Sequence, residues 1–97
     1  MLLTDEEPAR TVVTRPIPDL NILIPAGDPQ STHVKRYTNY GQKPVTIIAT
    51  TGHMHLLGTS IKVEVEHASG AQDCLLHIPQ WDFNWQQSYG FRDGEQV

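Results

Sequence analysis

The cleanest pattern in the chain lies over residues 61–66. Ile61, Val63 and Val65 alternate with Lys62, Glu64 and Glu66, and successive side chains on a strand leave opposite faces of the sheet. The spacing predicts a strand with one face on a core and the other in water. After Ala68, Ser69, Gly70 and Ala71, residues 73–78 are again largely apolar, so the two segments predict a hairpin. Residues 45–51 are nearly all apolar or β-branched and predict a central strand covered on both sides. Residues 20–24 predict a short strand closed by a turn over 25–29, where two prolines flank Gly27. Residues 33–40, which alternate weakly, are a further strand candidate, and residues 86–91 predict one more strand before the turn at Arg92, Asp93 and Gly94. No segment sustains a helical period. About five to seven short strands with frequent turns predict an all-β protein, an antiparallel β-sandwich that is jelly-roll-like and incomplete.

The ends of the pattern are uneven. Residues 1–18 carry three prolines and few apolar positions, which predicts an extended arm or linker ahead of a domain over 19–97. The chain stops just after the turn at Gly94, where a further strand is expected, and a β domain cut there carries an unpaired edge. The pattern therefore reads as part of a larger domain.

Size and charge narrow the functional classes. Ninety-seven residues allow one domain with a modest core. Hydrophobic content of 38% and charged content of 19% fit neither a disordered tail nor a membrane protein. No apolar run approaches the roughly 18–20 residues a membrane span needs. The start, Met1 to Glu7, lacks the basic and apolar regions of a signal peptide. Net charge is −4 with the seven Lys and Arg scattered, which argues against a nucleic-acid surface. Cys74 is the one cysteine, so neither an internal disulfide nor a thiolate zinc cluster is possible within the chain. Between strand neighbours it is expected to act as a small buried hydrophobe.

The candidate chemistry is His53-Met54-His55. If the preceding strand continues through it, both imidazoles point one way and Met54 points the other, into the core. Two neutral imidazoles side by side make half of a transition-metal site, and such sites usually need three or four ligands. His33 and His77 are weaker candidates for a third, and His67 is expected at a solvated hairpin end. A cupin needs a carboxylate soon after the histidine pair, where this chain has Gly58, Thr59 and Ser60. A second notable stretch holds Trp81, Phe83, Trp85 and Tyr89. At a spacing of two, the first three are expected to fill a core; exposed instead, they form a platform for sugars or peptides. Asn84 and Gln86 between them, if buried, need hydrogen bonds, most simply to nearby backbone.

Together, His53-Met54-His55-Leu56-Leu57-Gly58 and the later block of residues 81–89 resemble the C-terminal domain of the copper type II, ascorbate-dependent monooxygenases. That family includes the peptidylglycine α-hydroxylating and dopamine β-monooxygenases, and the aromatic block looks closest to bacterial members. The resemblance covers about residues 45–91 and extends weakly to 20–28. It implies a β-sandwich with His53 and His55 as copper ligands, in a protein that uses dioxygen to hydroxylate a C–H bond. It also implies an N-terminal copper domain as partner, a small-molecule or peptide substrate, and a secreted or periplasmic location. The family's third ligand is a methionine on a later strand, and no methionine follows Met54 here. The resemblance therefore implies a copper-binding portion that is inactive alone. The competing expectation is a non-catalytic β-sandwich module that binds carbohydrate or protein through Trp81, Trp85 and Tyr89.

Overall fold

Four strands are present among the described residues, and they follow from local patterning joined to a few long-range contacts. The computed structural model describes residues 5–41 and 43–92. Its contacts divide the chain into two units, Met1–Tyr40 and Gly41–Val97. The strands, all in the second unit, are β1 (Ala49–Thr51), β2 (Ile61–Glu66), β3 (Gln72–Ile78) and β4 (Ser88–Gly90). They form two antiparallel pairs, β1 with β4 and β2 with β3. The described residues contain no helix, so the fold is all-β, and no helix is long and apolar enough to cross a membrane.

The β2–β3 hairpin matches the alternation that predicts it. Ile61, Val63 and Val65 are half-buried, while Lys62, Glu64 and Glu66 are exposed. Ile61 lies opposite Ile78 and Val63 opposite Leu76, and each such apolar cross-strand pair contributes roughly 0.2–1 kcal/mol. Leu76, 9% exposed, is the buried apolar side chain among the described residues. The hairpin closes through a three-residue loop. Gly70 N–H donates to the His67 carbonyl at 2.9 Å and His67 N–H to the Ala71 carbonyl at 2.8 Å. Gly70 has φ of 85°, the left-handed position that ends a type I turn with a bulge. His67 is paired with Asp73, Nε2 to Oδ2 at 2.7 Å, beside this loop. On the outer face of β2, Lys62 meets Glu64 at 2.6 Å, and that carboxylate holds the exposed ammonium above its ordinary pKa.

Cys74 is exposed, contrary to the expectation of a buried thiol. The reason is a bulge. Val63 pairs with Leu76 but Glu64 pairs with Cys74, so Leu75 is the extra residue on β3. Cross-strand partners share a face, and Cys74 therefore takes the outward face of Glu64. His77 lies opposite Lys62 and is likewise exposed.

The expected strand over 45–51 shortens to Ala49–Thr51, and it is not covered on both sides. Val45 is 61% and Ile48 44% exposed. Only its last turn of chain finds a partner: Thr50 lies opposite Tyr89, Thr51 Oγ1 meets Ser88 Oγ at 2.7 Å, and Phe91 N–H reaches the Ile48 carbonyl at 2.9 Å. The expected strands over 20–24 and 33–40 are absent from the first unit, whose described residues are irregular. Leu20 and Leu23 are 86% and 78% exposed. A β-prone run forms a strand only where a neighbour supplies a hydrogen-bonding ladder. The turn after residue 24 does form, with Asp28 N–H on the Pro25 carbonyl at 3.2 Å. In the same unit the Arg15 guanidinium donates to the Tyr37 hydroxyl and lies 4.8 Å over its ring.

Replacing Gly70 tests the hairpin directly. A Cβ there meets nothing within 4 Å, so the cost is conformational alone, about 1–2 kcal/mol for a left-handed non-glycine residue. Gly70→Ala is expected to speed amide exchange at His67 about 5–30-fold. Unchanged exchange would contradict the turn geometry.

Candidate metal centre

The histidine pair sits directly beyond β1, with Gly52 between the strand and the first ring. Gly52 is buried. A Cβ on it would lie 3.1 Å from Ile61 Cγ2 and 3.5 Å from Leu76 Cδ2, so the bare backbone packs against the hairpin's apolar face. The next residues emerge from that contact into solvent. The rings of His53 and His55 lie with centroids 5.2 Å apart and planes at 85°, and both residues are exposed. The triplet is not part of a ladder, yet the two rings lie side by side. Immediately afterwards the chain turns, with Gly58 N–H on the His55 carbonyl at 3.0 Å.

A second segment flanks the pair because β4 pairs with β1. Trp81 N–H donates to the Thr59 carbonyl at 2.8 Å, and Trp85 N–H closes a turn onto the Asp82 carbonyl at 3.0 Å. The Asp82 carboxylate stiffens this turn through the Asn84 N–H at 2.8 Å and the Asn84 side-chain amide at 3.2 Å. From this turn Phe83 presents its ring edge-to-face with His55, centroids 6.4 Å apart. Gln86 places its Oε1 2.6 Å from His53 Nδ1, while its Nε2 donates to the Phe83 carbonyl at 2.8 Å. A buried Gln86 amide is expected on nearby backbone; the side chain is half-buried, its Nε2 is on the Phe83 carbonyl, and its contact with His53 has no mark in the local sequence. The contact spans 33 residues, and only a correct pairing of residues 49–51 with 88–90 could have found it.

His33 is in the first unit, 3.0 Å from Ser31 Oγ. His67 is engaged with Asp73, and His77 is on the outer face of the hairpin. Among the described residues no cluster of three or more His, Cys, Asp or Glu side chains is arranged to hold a metal. Met54 is half-buried and folded onto Gly58, where a Cβ would stand 2.9 Å from both its Cβ and its Cε. The aromatic block does not fill a core as expected. Trp85 is 72% and Phe83 39% exposed, whereas Trp81 is half-buried with no hydrogen-bond partner for its Nε1. Residues 82–85 form a surface turn, which turns Phe83 and Trp85 toward solvent instead of continuing the extended spacing of two that would stack them on one inner face.

Two imidazoles fit a metal that accepts nitrogen donors, and copper and zinc both do. They supply half the donor set such a site usually needs. No family model matches this chain, and neither a curated protein nor a solved structure matches it.

Gly58→Ala tests how the triplet is packed. The new methyl group forces the Met54 side chain to move at its Cβ as well as at its tip. Overpacking of this kind costs about 1–3 kcal/mol. Urea denaturation is expected to show that loss, together with a change in the ring proton shifts of His55. Wild-type stability in the variant would contradict the close Met54–Gly58 contact.

Proposed function

We propose that this chain is the copper-binding portion of an ascorbate-dependent monooxygenase domain, with His53 and His55 as its two ligands. The observation that carries the reading is the pair of exposed rings 5.2 Å apart on one short segment. The order of the histidine and aromatic blocks along the sequence supports it. Copper held by imidazole and thioether donors supplies one-electron chemistry and an open position for dioxygen in such sites. What this chain contributes is ligand placement. Gly52 anchors the segment on the hairpin, the turn at residues 55–58 ends it, and Phe83 stands against His55 as an apolar wall. The family's methionine ligand, the N-terminal copper domain, the remaining sandwich strands and a small-molecule or peptide substrate belong to the proposed whole. Activity is expected only in that whole.

The module reading has less support. It needs Trp81, Trp85 and Tyr89 together at the surface, and Trp81 and Tyr89 are half-buried.

Titration of the chain with Cu(I) against a chromophoric chelator tests the proposal. Removing a ligand is expected to cost more than the roughly 10–100-fold that loss of an outer partner costs. His53→Ala and His55→Ala should therefore each weaken Cu(I) binding by more than that. Wild-type affinity in either variant would overturn the assignment, and tryptophan quenching by oligosaccharides without any copper effect would favour the module.

A further inference from the structure

We infer that Gln86 is a positioning residue that fixes the tautomer of His53, leaving Nε2 as the one ring nitrogen with a free lone pair. The argument is an accounting of donors and acceptors. A backbone carbonyl only accepts, so the group of Gln86 that lies 2.8 Å from the Phe83 oxygen is its NH2. That orientation turns the amide oxygen toward His53. An amide oxygen also only accepts, so the His53 Nδ1 at 2.6 Å carries the proton. A neutral imidazole has a single N–H, and its lone pair then resides on Nε2. Exchanging the two ends of the amide would set one carbonyl oxygen against another at Phe83 and leave the amide NH2 facing a ring that must then accept.

The lock is built on a braced element rather than on a loose side chain. The turn that carries Phe83 is closed by Trp85 N–H on the Asp82 carbonyl and stiffened by the Asp82 carboxylate. Its entry is tied to the histidine segment through Trp81 N–H and the Thr59 carbonyl. The tautomer is thereby set by backbone geometry at Phe83, relayed through one amide. Unaided, a neutral histidine in water favours the proton on Nε2, the tautomer that would close that nitrogen to a metal. Ligating histidines characteristically donate their second ring N–H to a fixed acceptor, which sets ring orientation and raises donor strength. The consequence for metal binding rests on the function proposed above; the tautomer does not.

Long-range 15N–1H spectra of the metal-free full chain at about pH 8, above the ordinary histidine range, read the tautomer directly. The wild-type His53 ring is expected as Nδ1–H, and Gln86→Leu is expected to move it to Nε2–H while His55 is unaffected. A wild-type ring protonated on Nε2, or a Leu variant that keeps Nδ1–H, would overturn the inference. The wild-type spectrum decides even if the variant fails to fold. In the same variant Cu(I) affinity is expected to fall about 10–100-fold. A wild-type chain with Nδ1–H that does not hold Cu(I) would bear out the lock and refute the copper reading alone.

Discussion

The pairing of β1 with β4 is the constraint on which the histidine centre depends. It is short, three residues on each side, and it joins positions nearly 40 residues apart in the chain. Without it, His53 and His55 would project from an isolated strand end. With it, the segment before β4 is laid alongside them and delivers Phe83 to one ring and Gln86 to the other. Closing a loop of that length carries an entropic cost that three ladder positions do little to offset. The additional ties are therefore significant: Thr51 to Ser88, Phe91 to Ile48, and Trp81 to Thr59.

The β2–β3 hairpin lies inside that loop and gives it a surface to close on. Its inner face offers Ile61 and Leu76 to the backbone of Gly52, the residue directly before the pair. The centre is thus held between an apolar contact on one side and polar contacts on the other. Large apolar residues beyond the hairpin, among them Val45, Leu56, Leu57 and Trp85, remain exposed.

Local patterning was legible in the sequence and long-range placement was not. The alternation over 61–66, the hairpin turn at 68–71 and the all-β class all follow from side-chain period and turn residues, which act over a few positions. The β-bulge at Leu75 leaves no mark in composition, and it alone decides that Cys74 faces outward with Glu64. The apolar runs at 20–24 and 45–48 carry strand propensity, but propensity becomes a strand only beside a partner. The histidine pair could be read from three residues. Its supporting partners could not, because Gln86 and Phe83 reach it only through the β1–β4 register.

The most direct test of that juxtaposition is proton–proton proximity in solution. Nuclear Overhauser spectra of the full chain should connect the ring protons of His53 to the side chain of Gln86, and those of His55 to the ring of Phe83. Both sets of cross-peaks should appear without any metal added. Their absence, in a chain whose β2–β3 cross-peaks are intact, would contradict the account: the histidines would then stand alone, with nothing built around them.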